Sequence, residues 1–385
     1  MHPLARLEAA FEGRGAIVAG VLSGTSADGI DVALCRMHAR AGRLARPELL
    51  SFETLDFAPP IAARLRAILD GAPCGLRECA LLGRDLGRAF GQAARELAAR
   101  EHLALELVGS HGQTLYHHDG LECSGPASLQ LGEGDHVAEQ AGCAVVSDFR
   151  QRDLAAGGEG APISALADDL VFEHLPRPLA ILNLGGMGNL TLLSEGAEPL
   201  SFDTGPAGSL LDGFARALLG REFDPEGRHA AQGSADERLV RAWLEHPFFS
   251  KPPPRSTGRE TFGAAWVQAC LRAGGRPADL LASAAEFVAA TIAESLERYA
   301  PERPRELLVA GGGVHHRWLL ERIQARAGCP VVASGERGVD PDAREGLVFA
   351  VLAARAVLGI PSTATAATGA KSGRVLGKIS LPSVA

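Results

Sequence analysis

The sequence predicts an α/β protein in two lobes, on three observations. One outline occurs twice, a strand, a glycine turn and a second strand: residues 16–22 and 30–37 near the start, then 179–184 and 189–193 near the middle. Long helical patterns follow each copy, and strands mixed with helices in this way make an α/β fold. The chain has 385 residues, and at about 100–200 residues per domain that length suits two cores.

The elements follow in order. The first fifteen residues have the periodicity of a short helix, and with Glu8 and Glu12 inside the apolar stretch no secretory signal is expected there. Helices are expected at 60–69 and at 77–100, the latter rich in Ala, Leu, Arg and Glu. A strand at 107–109 leads into His111-Gly112-Gln113-Thr114, and one at 144–147 leads into Asp148-Phe149-Arg150. The glycine-rich stretch 157–162 reads as a crossover. Helices are then expected at 207–219, 235–244 and 278–299, a strand at 307–310, a helix from about His315 and a last long helix over 343–358. The tail carries a weak strand near 374–379. The expected lobes are 1–146 and 147–358, with 359–385 returning to the first.

Composition narrows the function classes. With 46% hydrophobic and 22% charged residues the chain is too apolar for disorder. A net charge of −8 is no footprint of a general nucleic-acid binder. Seven scattered cysteines without a C-x-x-C pair read as thiols of a reducing compartment rather than disulfides or a zinc site. The longest apolar run, 346–360, is interrupted by Arg355 and is too short to span a bilayer. A soluble, cytoplasmic protein is expected.

Three glycine turns carry the chemical signal. Main-chain amides of Gly24-Thr25-Ser26, with two hydroxyls, suit phosphate oxygens, and Asp28 and Asp31 suit Mg²⁺. The plain alternative is a tight hairpin with an Asp-Gly turn. No Gly-Lys-Ser/Thr follows, so this is no P-loop, and the spaced carboxylates of an EF-hand are missing. Gly185-Gly186-Met187-Gly188 lacks the last glycine of a dinucleotide fingerprint and runs into a strand. Gly311-Gly312-Gly313 stands between a strand and a helix, where amides attract phosphate or a nucleotide edge. Ser110-His111 has no nucleophile elbow, and His117-His118 and His315-His316 lack metal-ligand spacing and read as solvated or capping residues. Two strand-turn-strand clamps with a third glycine turn resemble the layout of the actin-like ATPase and sugar-kinase superfamily. That resemblance implies two ribonuclease H-like lobes with an ATP cleft between them.

Longer strings sharpen the resemblance. Ser23-Gly24-Thr25-Ser26-x-Asp28-Gly29-x-Asp31, Ser110-His111-Gly112-Gln113-Thr114, Asp148-Phe149-Arg150 and Gly157-Gly158-x-Gly160-Ala161-Pro162 occur in that order. Asn183-x-Gly185-Gly186, Phe202-Asp203-Thr204-Gly205-Pro206, Ser256-Thr257-Gly258-Arg259-Glu260 and Gly311-Gly312-Gly313 complete the set. Together they resemble the anhydro-N-acetylmuramic acid kinase family over most of the chain.

The resemblance implies a phosphotransferase that opens a 1,6-anhydro amino sugar with water and phosphorylates O6 from ATP, in peptidoglycan recycling. It implies ATP and Mg²⁺ as cofactors, no nucleic-acid or membrane partner, and it admits a homodimer. It carries ATP binding to Gly24, Thr25, Ser26, Ala27, Asp28, Gly29, Ile30, Asp31, Gly185, Gly186, Gly311, Gly312 and Gly313, with Asp28 at the metal. It carries sugar binding to Thr114, Arg150, Arg152 and Glu345, where Arg150 and Arg152 could pair with a lactyl carboxylate and Glu345 would hold substrate or steady the helix start. Asp203, expected at a strand end before Gly205-Pro206, matches the base position, against the plainer reading of a helix N-cap. Gln151, Ala207, Gly208 and Asp168 depart from the usual pattern at positions expected on the sugar side. Two rivals stay open: a related carbohydrate kinase with a changed acceptor, and a nucleotide-binding regulator without turnover.

Overall fold

In the computed structural model, residues 3–24, 27, 29–69, 71–118, 120 and 125–383 are described. The strands are β1 (Ala16–Ser23), β2 (Ile30–Met37), β3 (Ala39–Arg40), β4 (Arg43–Leu44), β5 (Glu48–Leu55), β6 (Leu107–His118), β7 (Ala127–Leu131), β8 (Ala144–Ser147), β9 (Leu179–Leu184), β10 (Met187–Leu193), β11 (Leu200–Pro206), β12 (Leu307–Ala310), β13 (Val331–Ala333) and β14 (Lys378–Ser380). They divide between two compact units, Met1–His174 with Ala343–Ala385, and Leu175–Asp342.

The first unit is built on a sheet in the order β14-β8-β6-β1-β2-β5, with β7 paired to β6. β1 and β2 form the expected antiparallel hairpin, Ala16 opposite Met37 and Leu22 opposite Asp31, while β1 and β6 run parallel. Successive side chains of a strand face opposite ways, and helices cover both faces. Ala19, Val21, Val32 and Leu34 join Leu82, Leu86, Phe90 and Leu97 of the helix Leu76–Arg100 in one core cluster. The alternate positions take the helix Arg344–Val357 at very short range. A Cβ on Gly20 would fall 1.7 Å from the Gly346 carbonyl oxygen, and one on Gly109 would fall 2.2 Å from that of Phe349. Glycine is required at both positions by backbone proximity.

The second unit has the sheet order β11-β10-β9-β12-β13. β9, β10 and β11 form an antiparallel meander, and β12 pairs parallel to β9. The helix Pro277–Tyr299 supplies Leu281, Ala285, Phe287, Val288 and Ile292 to a core shared with Leu182, Leu190, Phe202 and Val309.

The structure differs from the sequence expectation in several places. The division falls at 174/175 and 342/343 rather than at 146/147 and 358/359. Polar groups of 147–174 explain this, since they are tied into the first unit. Asp153 Oδ1 accepts the Thr368 hydroxyl at 2.8 Å, the Val171 carbonyl accepts Arg46 Nε at 3.0 Å, and Asp168 pairs with Arg344. β6 does not stop at 109 but runs through the His111–Thr114 motif to His118, because β7 and β1 pair with it there. Asp203 lies within β11 instead of at a strand end. His117 is buried rather than solvated, and after Gly311 a 3₁₀ turn (Gly312–His315) precedes the helix Arg317–Arg326. β5, β7 and the helix Gly134–Ala141 were not expected at all.

Candidate active site

In the first unit the turn after β1 is held from below by β6. The Gly24 carbonyl accepts both the Ala27 N–H at 3.1 Å and Gln113 Nε2 at 3.2 Å, and Gln113 is fully buried. The left-handed backbone in this turn belongs to Ala27, at φ 53°, and not to Gly29. Gly29 is needed for room: a Cβ there would lie 2.7 Å from Thr54 Cγ2 and 3.0 Å from the Leu55 carbonyl oxygen on β5. Ile30 sends its side chain into the core, so only its main chain is available to a ligand. Asp31 Oδ1 accepts the Thr54 hydroxyl at 2.6 Å. Thr25, Ser26 and Asp28 lie outside the described residues.

Thr114 stands on the same strand as Gln113, next to the Gly24 turn, since Ser23 pairs with Gln113. Its hydroxyl accepts Gln130 Nε2 at 3.2 Å, and Gln130 Nε2 also donates to Ser128 Oγ at 2.7 Å. Gln151, one of the departures, donates to the Ser128 carbonyl at 2.7 Å and so braces the β6–β7 hairpin. Arg150 donates Nε–H to His111 Nε2 at 3.0 Å and Nη1–H to the Gly160 carbonyl at 3.1 Å. Arginine has no acceptor to offer, so His111 Nε2 is bare and the ring proton sits on Nδ1, donating to the Gly112 carbonyl at 3.2 Å. Burial, aided by the Arg150 charge, holds the His111 pKa well below the imidazole range. His111 is therefore a neutral ring, stacked at 4.5 Å on Phe349, that aims the Arg150 guanidinium. Arg152 is exposed.

Glu345 sits in the first turn of the helix Arg344–Val357, half-buried. Its neighbour Arg344 donates Nε–H to Asp168 Oδ1 at 2.8 Å, a second Arg344 N–H reaches Asp168 Oδ2, and Nη2 also donates to Ser164 Oγ at 3.2 Å. Asp168 is thus held in a fully buried ion pair with Arg344, the residue before Glu345.

The second unit aligns polar groups across adjacent strands. Ala310 pairs with Asn183, Asn183 with Asn189, and Asn189 with Asp203, so one row crosses β12, β9, β10 and β11. Asp203 is 6% exposed, and its Oδ2 accepts the Thr257 backbone N–H at 2.8 Å. Its main chain is clamped by Arg255: the Asp203 N–H donates to the Arg255 carbonyl at 3.1 Å, and Arg255 Nε donates back to the Asp203 carbonyl at 2.9 Å. Arg255 is itself buried, donates to the Lys251 carbonyl and Ser295 Oγ, and lies among the rings of Phe202, Phe248 and Tyr299. Asn189 Oδ1 and Thr257 Oγ1 are buried beside this carboxylate with no hydrogen-bond partner among the described residues. Buried polar atoms are seldom left so, and such a pair marks a place for a polar ligand or water.

The glycine turns meet at the end of this row. Gly185 and Gly186 follow Asn183, and their carbonyls accept N–H groups of Gly208, Ala207 and Ser209 at 2.9, 2.9 and 3.1 Å. A Cβ on Gly208 would lie 2.9 Å from the Gly185 oxygen, so the departure at 208 answers a close approach. Gly311, at φ +81°, has no room for a Cβ, which would fall 2.6 Å from Asn183 Oδ1; one on Gly313 would fall 2.5 Å from Leu184 Cβ. A Cβ on Gly312 would meet open space. The structure thus gathers Gly24, Gln113 and Thr114 in one unit, and Asp203, Gly185, Gly186, Gly311 and Gly313 in the other.

A family model for anhydro-N-acetylmuramic acid kinase matches residues 16–382. An anhydro-N-acetylmuramic acid kinase of Xanthomonas campestris pv. campestris (strain 8004) is 42% identical over 367 residues, covering 94% of this chain and 96% of its own length. The chain belongs to the anhydro-N-acetylmuramic acid kinase family. A further member, from Cyanothece sp. (strain PCC 7425 / ATCC 29141), is 38% identical over 377 residues, covering 94% of this chain and 98% of its own. Among solved structures a ROK family glucokinase from Streptomyces griseus in complex with glucose and AMPPNP aligns over 87% of this chain at a TM-score of 0.39 and 14% identity, too distant to bear on function.

Membership makes the chain an ATP-binding amino-sugar kinase in a family of peptidoglycan recycling. The strings Ser256-Thr257-Gly258 and Asn183-x-Gly185-Gly186 left Ser256, Thr257, Gly258 and Asn183 without roles, while Gly185 and Gly186 were expected at ATP. Thr257 turns out to hold the Asp203 carboxylate, and Asn189, outside those strings, faces it. Arg255 carried no signal, since a lone arginine after three prolines reads as loop. Among the described residues no group of three or more His, Cys, Asp or Glu side chains gathers to hold a metal, and no helix is long and apolar enough to cross a membrane.

Proposed function

We propose that this chain hydrolytically opens 1,6-anhydro-N-acetylmuramic acid and transfers the γ-phosphate of ATP to O6, giving N-acetylmuramic acid 6-phosphate. One observation carries the residue-level reading. The buried Asp203 carboxylate is held by the Thr257 N–H beside two buried polar atoms that lack hydrogen-bond partners among the described residues. In this reading Asp203 takes a proton from the water that attacks the anomeric carbon. O6 leaves that carbon and becomes the nucleophile for in-line transfer, and ADP departs. Asn189 Oδ1 and Thr257 Oγ1 would be satisfied by the water or by sugar hydroxyls, and Glu345 would help hold the substrate.

Arg150, Arg152 and Thr114 would bind the sugar, with His111 fixing the direction of Arg150. Gly24 to Asp31, Gly185, Gly186, Gly311, Gly312 and Gly313 would hold ATP. Carboxylates and hydroxyls with no His or Cys make the 24–31 segment a hard-donor set that fits Mg²⁺. Asp28 would hold the ion, and the remaining coordination would come from water and phosphate oxygens. Magnesium supplies neutralisation of phosphate charge when bound. The reading also carries a cytoplasmic location and admits a homodimer, for which sedimentation of the purified chain is the check.

The test is turnover in ¹⁸O-water with ATP, on the anhydro-sugar and on a panel of plain hexoses. Phosphorylated N-acetylmuramic acid with label in the sugar hydroxyl and none in the phosphoryl group is expected. Phosphorylation of plain hexoses alone would favour a changed acceptor, and ATP binding without any product would favour a regulator.

A further inference from the structure

The N-terminus of the helix Leu76–Arg100 is closed in an unusual way. Gly75 is its N-cap and makes no side-chain capping bond. Counting from it, Cys74 occupies the position before the cap and Cys79 the fourth helical position. Those two positions normally carry an apolar pair whose side chains pack across the first turn and fix the angle at which the chain enters the helix. Here the pair is two thiols, with Sγ atoms 3.1 Å apart. The main chain is also tied, since the Cys79 N–H donates to the Gly75 carbonyl at 3.0 Å. An S–S bond is about 2.05 Å long, so closing the pair needs a shift of about one ångström.

The pair differs from the other described cysteines. Cys35, Cys143, Cys270 and Cys329 are buried, and burial pushes the first three thiols up to about 12. Cys74 and Cys79 are only half-buried, on a turn where a small oxidant can reach them. Beside them Arg64 is fixed by Glu78 at 2.6 Å and Asp85 at 2.7 Å, which steadies the helix end that carries Cys79.

We propose that Cys74 and Cys79 form an oxidisable dithiol, a helix staple that low-molecular-weight disulfides convert to an intramolecular disulfide. One protein thiolate attacks a sulfur of the small disulfide, and one small thiol leaves. The second protein thiolate then attacks the resulting mixed disulfide at the protein sulfur, and the second small thiol leaves. Two protein S–H bonds are lost and one S–S bond forms; two electrons and two protons pass to the oxidant, which becomes two thiols. Burial, with the neighbouring Cys79 thiol, pushes Cys74 up to about 11, and the thiolate is the attacking form. The oxidation therefore speeds up as the solution is made more alkaline.

The sequence offers a clean readout. Trypsin cuts after Arg66, Arg77 and Arg84, so Cys74 and Cys79 leave in different peptides, 67–77 and 78–84. The folded full-length protein is incubated with oxidised glutathione, its remaining thiols are alkylated, and the digest is analysed by mass spectrometry without reduction. The expected result is a single species joining 67–77 to 78–84, two hydrogens lighter than the sum of its parts and separated by reductant. The Cys79→Ser protein should instead carry glutathione on 67–77. Separate alkylated peptides, glutathione retained on both peptides of the unaltered protein, or preferential linkage of any other cysteine would overturn the proposal.

Discussion

Thr257 donates its backbone N–H to Oδ2 of Asp203 at 2.8 Å, across 54 residues of sequence. A main-chain donor cannot rotate away, so the carboxylate is held where β10 and β11 align Asn189 with Asp203. Arg255 makes the arrangement rigid by exchanging hydrogen bonds with the Asp203 main chain on one side and donating to Lys251 and Ser295 on the other.

Arg255→Lys should therefore damage both fold and site. Lysine carries no planar fork and cannot reach three acceptors at once. One hydrogen bond to a charged group is worth about 1.5–3 kcal/mol, so a urea titration should show a loss of at least that size, with lower kcat in the surviving folded fraction. An unchanged denaturation midpoint would show that the clamp is dispensable.

Asp168→Asn tests the buried pair with Arg344. Removing one partner leaves the other charge uncompensated in the interior, which costs about 3–5 kcal/mol. Thermal and chemical unfolding should both register it. A variant as stable as the parent would show that the pair with Arg344 is dispensable.

Acid should destabilise the protein through its buried imidazoles. Burial, with the charges of Arg150 and His118, lowers His117 to about 3, and His111 is lowered as well. In the unfolded chain both titrate near the ordinary value of about 6.5. Below that pH the unfolded state takes up protons that the folded state refuses, so stability present above about 6.5 is lost as the pH falls toward about 3. The slope is at most about 1.4 kcal/mol per pH unit for each ring. Unfolding free energies of the parent and of His117→Gln between about pH 6.5 and 4 should diverge, the variant having the shallower slope. Parallel curves would contradict a neutral, buried His117.

Gly20→Ala probes the helix seated on the sheet. The new Cβ would fall 1.7 Å from the Gly346 carbonyl oxygen, a main-chain atom that cannot swing aside. Overpacking typically costs about 1–3 kcal/mol and occasionally more, and because Glu345 precedes Gly346 the displaced helix should also raise KM for the sugar. A melting temperature equal to the parent's would mean that the helix has slack.

The parts of the fold legible in the sequence are those with strong periodic or apolar signals. The β1–β2 hairpin, the helix Leu76–Arg100 and the strand Leu307–Ala310 were expected within a residue or so. β5 and β7 were not, because Glu48–Leu55 is half-exposed without clean alternation and Ala127–Leu131, though alternating, is five residues long with Leu129 exposed. Asp203 was read as a strand end since Gly205-Pro206 looks like a breaker. In the structure Gly205 takes φ +128° beside a register shift at Gly188/Asn189, and the strand continues through Pro206. The glycines of the site were legible as glycines but not for their reason. Gly29, Gly208 and Gly313 make room for neighbouring atoms, and only Gly311 of the four has a left-handed φ. Arg255, Thr257 and Asn189 reach Asp203 only through tertiary pairing, which no local pattern encodes.

Asp203→Asn is the most direct test of the account, measured twice on the same folded protein: turnover of 1,6-anhydro-N-acetylmuramic acid, and affinity for ATP. Asparagine keeps the size of the side chain and an acceptor for the Thr257 N–H but cannot take the proton of the attacking water. General-base assistance is worth about 10²–10⁴-fold, so kcat should fall by that factor while the ATP dissociation constant stays within about twofold of the parent's. Near-normal turnover would remove Asp203 from the base role and make Glu345 the next candidate, and a collapse of ATP binding would assign Asp203 to the nucleotide and metal instead.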